Sequence, residues 1–147
     1  MNEEETKEES NGPLLNEQKV SVESLKILGT EDYPKDLFDA EELELLKDYQ
    51  EEFGSIKWDL EYEKTLPERE FGPIKISKSG VKKWGEVLKG TQVKTGRRMD
   101  FNPESYYFEG YYIDGQRNGH GVYIWVDGER YEGEFKDNKM NGYGVYT

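Results

Sequence analysis

The stretch that decides the fold is FEGYYIDGQRNGHGVYI at residues 108–124, which recurs as YEGEFKDNKMNGYGVYT at residues 131–147. The two segments align without a gap at a shift of 23 residues, and 8 of the 17 pairs are identical. The identical pairs are Glu109/Glu132, Gly110/Gly133, Asp114/Asp137, Asn118/Asn141, Gly119/Gly142, Gly121/Gly144, Val122/Val145 and Tyr123/Tyr146. Aromatic residues are kept at two further pairs, Phe108/Tyr131 and Tyr112/Phe135. Self-similarity at a fixed period indicates a repeat architecture.

Each copy opens with an aromatic residue, Glu and Gly, and a second aromatic residue follows two positions after the Gly. This alternation predicts a strand with its rings on one face. The Gly lacks a side chain, so we expect a ring from the neighbouring strand to lie over its bare backbone. The pattern predicts strands near 107–113, 121–126, 130–136 and 143–147, each antiparallel to the one before.

Turn-forming residues separate these strands. Asp114-Gly115 and Asp137-Asn138 tolerate positive φ, and each pair opens a predicted turn that ends near Gly119 or Gly142. Asp127-Gly128 is a two-residue hairpin signal between the copies. The last strand ends at Thr147 inside a repeat, which leaves an unpaired edge for a partner or for the rest of a longer repeat protein.

These motifs resemble the MORN repeat family, whose unit is a β-hairpin of about this length that stacks into an elongated twisted sheet. The resemblance covers residues 107–147. A degenerate third copy at 83–105 is an alternative, because its glycines repeat the spacing of three glycines in the first copy. The matched glycines are Gly85, Gly90 and Gly96 against Gly110, Gly115 and Gly121.

The residues before the repeats fall into three segments. Residues 1–20 are strongly acidic and predict a disordered tail. Residues 21–54 form a helical segment with a helix over about 37–53, since apolar residues recur there at three-to-four spacing. Residues 55–106 predict an irregular β region.

Local signals refine the two segments before the repeats. Asp36 or Asp39 is the expected N-cap of the helix, and Gly54 its stop. Strict alternation over residues 56–63 predicts a strand, and Ile74 with Ile76 predicts a second short one. The predicted fold is thus mainly β, an antiparallel hairpin-repeat meander with one N-terminal amphipathic helix and an acidic tail. We expect the apolar stripe of the helix to pack on this sheet; docking on a separate partner is the alternative.

Composition excludes several classes of protein. The 147-residue chain has no Cys, one His, a mean hydropathy of −1.01 and a net charge of −12. No segment is apolar enough to span a membrane, and no secretory signal is visible, so a cytoplasmic location is the default. The absence of Cys excludes cysteine-based chemistry. His120 lies in a predicted repeat turn, and we expect it to fill the position of an aromatic residue there and not to act as a metal ligand or catalyst. We expect no enzyme activity, no cofactor and no metal site.

The charge is unevenly distributed along the sequence. Residues 1–73 carry a net charge of −14, residues 74–99 carry +7, and residues 100–147 carry −5. The negative total disfavours nucleic acid as a partner. The basic block at 74–99 either neutralises the acidic segment within the chain or faces anionic lipid. The candidate lipid-binding residues are Lys82, Lys83, Arg97 and Arg98.

The sequence therefore predicts a non-catalytic scaffold that binds protein partners through the aromatic face of the repeat sheet. The candidate binding residues are Tyr107, Tyr112, Tyr123, Trp125, Tyr131, Phe135 and Tyr146. The resemblance implies a eukaryotic cytoskeletal, ciliary or membrane-proximal assembly. The open alternatives are self-association, a peripheral adaptor on anionic phospholipid membranes, and a regulatory fragment of a larger MORN-containing enzyme.

Overall fold

A computed structural model describes residues 25–147, so the predicted tail at residues 1–20 lies outside the described residues. Within this part, one unit holds Leu25 and Phe38–Gly54, and a second unit holds Lys26–Leu37 and Ser55–Thr147. The first is the helical unit and the second is the sheet unit.

The helical unit consists mainly of helix α1, Ala40–Phe53. Asp39 caps it in a capping box: the Glu42 N–H donates to Asp39 Oδ1 at 2.8 Å, and the Asp39 N–H donates to Glu42 Oε1 at 2.9 Å. Gly54 follows with φ of 77°. The helix was predicted from residue 37, but the capping box makes Ala40 the first helical residue. No helix within residues 25–147 combines the length and apolar character needed to cross a bilayer.

The sheet unit contains an antiparallel sheet of eight strands among the described residues. The strands are β1 Arg69–Phe71, β2 Lys75–Ile76, β3 Lys82–Leu88, β4 Lys94–Asn102, β5 Tyr106–Ile113, β6 Gln116–Trp125, β7 Arg130–Lys136 and β8 Lys139–Tyr146. Strands β3 to β8 follow one another in chain order, and both β1 and β2 pair with β3. The predicted antiparallel meander is confirmed.

The strand predicted over residues 56–63 is wrong. Leu60–Glu63 forms the short helix α2, and the Asp59 side chain accepts a hydrogen bond from the Tyr62 N–H. Trp58 and Tyr62 are four residues apart and both contact the ring of Tyr111, at centroid distances of 5.2 and 4.9 Å. The second half of the alternating sequence thus forms one helical turn, and Trp58 precedes it in irregular chain; alternation alone does not distinguish this arrangement from a strand.

Part of the region predicted as irregular β over 55–106 forms a hairpin. Strands β3 and β4 pair antiparallel from Lys82↔Phe101 to Val87↔Lys94. Gly85 and Gly96 lie inside these strands. They occupy positions where the two backbones approach closely or bulge.

The turns inside the repeats are shorter than predicted. Asp114 and Gly115 have φ of 49° and 86°, and Asp137 and Asn138 have φ of 51° and 72°. Positive φ at both central residues is the geometry of a type I′ turn, which closes a hairpin in two residues. Strands β6 and β8 therefore begin directly after these turns. Asp127-Gly128 predicts a two-residue connection from β6 to β7, but the connection is longer. The Trp125 N–H donates to the Glu129 carbonyl at 2.9 Å, and three residues lie between them.

Gly119 and Gly142 do not end turns but lie in bulges of β6 and β8. In β5–β6 the register changes between Gly110 and Tyr112, and two extra residues of β6 are accommodated there. Gly119, with φ of 88°, supplies the positive φ of this bulge. The hairpin β7–β8 has the same register change, and Gly142 has φ of 71°.

The hairpin β3–β4 carries the same bulge outside residues 107–147. Gly85 pairs with Arg98, as Gly110 pairs with Gly121, and Gly96 has φ of 113°. By register, Gly96 therefore corresponds to Gly119, whereas the sequence spacing had matched it with Gly121. The connection between β3 and β4 is longer than a two-residue turn, which explains the shift in spacing.

Paired glycines allow rings to lie on the sheet backbone, as predicted. Gly110 pairs with Gly121, and Gly133 pairs with Gly144. A Cβ on Gly121 would lie 2.8 Å from Phe108 Cε1, and a Cβ on Gly133 would lie 2.5 Å from the Cα of Gly144. Real Cβ atoms do not approach so closely, so a side chain at either position would force its neighbours to shift.

We expect Gly121→Ala to lower the free energy of unfolding by about 1–3 kcal/mol, because the added methyl overpacks the ring of Phe108. Urea denaturation measures this loss. Gly128→Ala is the control: Gly128 has φ of 96° and nothing within 4 Å, so only a backbone cost of about 1 kcal/mol is expected. In a double-mutant cycle, Phe108→Leu should reduce the loss of stability caused by Gly121→Ala and leave the loss caused by Gly128→Ala unchanged. If the effect of Phe108→Leu simply added to the effects of both glycine variants, the proposed contact between Phe108 and Gly121 would be contradicted.

Candidate functional site

The two faces of the sheet carry different side chains. Residues paired directly across antiparallel strands share a face, so the register assigns each ring to one side. Along β5, Phe108 and Tyr112 lie on one face and Tyr107, Glu109 and Tyr111 on the other. We call the first the aromatic face and the second the opposite face. The aromatic face carries Tyr106, Phe108, Tyr112, Tyr123, Trp125, Tyr131, Phe135 and Tyr146.

The opposite face bonds to residues 26–37 and 55–63 of the same unit. The Leu28 N–H donates to Glu109 Oε2 at 2.6 Å. The Tyr111 hydroxyl accepts from the Asp59 N–H at 2.9 Å. Arg97 Nε donates to Glu63 Oε2 at 2.7 Å. This face is therefore tied down by the chain itself through hydrogen bonds far apart in sequence.

The aromatic face has a buried layer of rings. Phe108, Tyr112, Tyr131 and Phe135 form one buried cluster. Phe108 meets Phe135 edge-on at 5.2 Å, and Tyr131 meets Phe135 edge-on at 5.5 Å between ring centroids. Edge-to-face contacts of this kind fix ring orientation as well as burying area.

A second layer of rings lies partly in solvent. Tyr106 and Tyr123 stack at 4.8 Å, Tyr123 contacts Trp125 at 4.6 Å, and Trp125 stacks with Tyr146 at 6.2 Å. Tyr123 and Trp125 are half-buried, and Tyr146 is 63% exposed. These rings form a continuous row from β5 to β8.

The seven predicted binding residues are thus distributed over three environments. Tyr123, Trp125 and Tyr146 form the outer layer together with Tyr106, which sequence reasoning missed. Tyr112, Tyr131 and Phe135 belong to the buried layer. Tyr107 lies on the opposite face, 5% exposed, and its hydroxyl donates to Glu109 Oε1 at 3.1 Å.

A buried polar group, also missed from the sequence, anchors the aromatic face. Arg117 places its guanidinium carbon 4.5 Å from the ring centroid of Phe108, and its Nη2 donates to Asp100 Oδ2 at 2.8 Å. The Tyr112 hydroxyl also donates to Asp100. Burial and the charge of Asp100 raise the pKa of Tyr112 well above its ordinary value. The repeat alignment places Met140 opposite Arg117 in the second copy, and this break in similarity was the available signal.

The four predicted lipid-binding cations do not share a surface. Lys82 lies on the opposite face, where its Nζ donates to the Leu37 carbonyl at 2.8 Å. Arg97 lies there too, 4.6 Å from the ring centroid of Trp58. Lys83 and Arg98 lie on the aromatic face. Neighbouring residues of a strand point to opposite faces, so the sequence block is divided between them.

Comparison with known proteins agrees with this architecture. The family model of the MORN repeat matches residues 108–130 and 131–147. Residues 108–147 are two MORN repeats. A search of the curated proteins finds no significant match to the chain. MORN repeats are generally modules for protein or membrane interaction, which agrees with a non-catalytic adaptor.

The first MORN repeat also supplies a buried acid to the opposite face. Burial raises the pKa of Glu109 from its ordinary value of 4.5 to about 7, although hydrogen bonds from Leu28 and Tyr107 and the charge of Arg97 act in the other direction. In the unfolded chain Glu109 loses its proton near its ordinary value. Between these two pKa values the unfolded state binds fewer protons than the folded state, so stability falls as pH rises.

We expect ionisation of Glu109 to lower the free energy of unfolding by up to about 3 kcal/mol as pH rises through this window. Glu109→Gln removes this component, because an amide does not titrate and still hydrogen-bonds with Leu28 and Tyr107. Urea denaturation at a pH below 4.5 and at a pH above 7 gives the difference. Glu104→Gln, at an exposed turn residue, should leave the wild-type pH dependence unchanged. An unchanged pH dependence in Glu109→Gln would contradict the assignment.

Proposed function

We propose that this protein is a non-catalytic scaffold that binds a protein partner through the aromatic face of its MORN repeats. The observation that supports this is the outer row of rings, which is partly exposed although the neighbouring rings of the same face are buried. Tyr123, Trp125 and Tyr146 are its contact residues.

The outer rings are prepared for binding before a partner arrives. Each of them stacks on a neighbour, so its orientation is restricted in the free protein. A partner that binds therefore restricts little further side-chain motion. Less binding free energy is lost to conformational entropy, so the same buried area gives a higher affinity. Tyr and Trp are also the residues most enriched at energetic centres of interfaces.

The remaining predicted residues have supporting roles in this proposal. Tyr131 contacts the ring of Tyr146, Tyr112 and Phe135 pack on Phe108 in the same buried cluster, and Tyr107 donates a hydrogen bond to Glu109 on the opposite face. The resemblance to MORN proteins favours a cytoskeletal or ciliary assembly as the setting. The division of Lys82, Lys83, Arg97 and Arg98 between two faces argues against an anionic membrane surface formed by those four residues.

The test compares two tyrosines of β8 that alternate between faces. Tyr146 lies on the aromatic face, whereas Tyr143, 93% exposed, points to the other side. We expect Tyr146→Ala to lower recovery of a bound partner about tenfold in quantitative affinity pull-down, and Tyr143→Ala to have little effect.

Crosslinking of the recovered complex identifies the face directly, and melting curves of both variants check that each is folded. The proposal predicts crosslinks confined to the aromatic face. Equal recovery with both variants, or crosslinks that avoid residues 106–147, would contradict it.

A further inference from the structure

A group of cations lies at the β2–β4 end of the aromatic face. Lys75 pairs with Lys83, and Lys83 pairs with Asp100 across β3–β4. Asp100 in turn pairs with Phe108, which assigns this row to the aromatic face. We call Lys75, Lys83, Lys94 and Arg98 the cation cluster. None of its members belongs to the two matched MORN repeats.

Arg98 is the buried centre of the cation cluster. It is 2% exposed, and its guanidinium carbon lies 5.9 Å from the ring centroid of Tyr112. Gly85 makes room for it, since a Cβ there would lie 2.8 Å from Arg98 Cγ. Arg98 Nη1 donates to the Glu86 carbonyl at 2.9 Å, but the buried Nε finds no hydrogen-bond acceptor among residues 25–147. A buried donor without an acceptor is costly, and it marks a place for a ligand or solvent atom.

The positive charge of the cation cluster is not balanced within the described chain. Lys75, Lys83 and Lys94 form no ion pair with residues 25–147. Asp100 is the nearby acid, but it already accepts hydrogen bonds from Arg117 and Tyr112.

The members of the cluster are close enough to repel one another. Burial lowers the pKa of Lys94, and the charges of Lys83, Arg98 and Lys75 lower it further, against an opposing effect of Asp100. Unbalanced like charge at partly buried positions destabilises the free protein and favours any anion that enters.

We propose that the cation cluster binds carboxylate side chains of an acidic segment in the protein partner. This rests on the proposed function, because the segment would continue from the outer rings to β2–β4. Tyr112 links the two parts: it belongs to the ring cluster and lies beneath Arg98. Carboxylates complement the excess positive charge, and charge-assisted hydrogen bonds to lysine and arginine are strong.

The placement of the lysines favours a peptide over a membrane surface. Lys83 and Lys94 are half-buried on the sheet face, and Arg98 is buried, so an anion must reach in to meet them. Lys75 of the cluster is exposed, as are two other lysines of the same basic block, Lys78 and Lys89, which lie at turns beside β2 and β3. A flat bilayer would meet such turn lysines first, whereas a carboxylate side chain of a peptide can reach between the side chains that stand on this face.

The experiment measures binding of fluorescein-labelled hexaglutamate to the full chain by fluorescence polarisation at low ionic strength. The variant is Lys83→Gln/Lys94→Gln, and the control is Lys78→Gln/Lys89→Gln. Both remove two positive charges from the same basic block. We expect the first to weaken binding at least about tenfold and the control to change it less than about twofold.

A second readout guards against loss of fold. Because the cations repel one another, Lys83→Gln/Lys94→Gln should keep or raise the melting temperature of the free protein. Hexaglutamate should raise the melting temperature of the wild type and of the control, but not that of the cluster variant.

Three results would overturn the proposal: absence of hexaglutamate binding, equal weakening by both variants, or binding only to phosphatidylcholine vesicles that contain phosphatidylserine. The last would assign the cation cluster to anionic lipid instead. Each of these can occur while Tyr146→Ala still lowers partner recovery, so failure of the acidic-segment proposal is separable from failure of the aromatic-face proposal.

Discussion

The contact between an aromatic ring and the bare backbone of a paired glycine is the constraint on which the sheet depends. Phe108 occupies the space beside Gly110 and Gly121, and Tyr131 occupies the space beside Gly133 and Gly144. A side chain at any of these glycines would displace the ring. The rings therefore lie along the sheet instead of standing away from it, and a single layer of strands acquires a packed surface of its own.

This packing also separates the two faces by role. The opposite face is held by distant segments of the sheet unit, through Glu109, Tyr111 and Arg97. The aromatic face is built mainly from side chains of the strands themselves, in a buried layer and an outer layer. The surface to which we propose that a partner binds is therefore a consequence of how the hairpins are stabilised, and in our proposal the cation cluster adds charge selectivity at one end of it.

Much of the repeat region could be predicted from the sequence. Two copies in one register reveal the strands, their antiparallel order and the ring-over-glycine contacts, because each feature is local and occurs twice. The face of each ring was harder, since Tyr106-Tyr107-Phe108 and Tyr111-Tyr112 put aromatic residues on both sides of β5. Alternation puts Tyr107 and Phe108 on opposite faces, but only the pairing with β4 and β6 shows which other residues share each of those faces.

Other features depend on contacts between distant residues and had no local signature. The alternation around Trp58 and Tyr62 fits a strand as well as a helical turn, and only the ring of Tyr111 distinguishes them. The cation cluster joins residues of β2, β3 and β4, and its buried member is recognisable only once Gly85 is paired with Arg98. The separation of Arg97 from Arg98 was predictable in principle, since adjacent strand residues point to opposite faces.

The most direct test of the central claim is the NMR signature of the paired glycines. Protons on a backbone beneath an aromatic ring are shielded by its ring current and lie within range of nuclear Overhauser contacts. The account predicts upfield-shifted Hα resonances for Gly121 and Gly144, with contacts from Gly121 to Phe108 and from Gly144 to Tyr131. Hα shifts at random-coil values without contacts to those rings would contradict it.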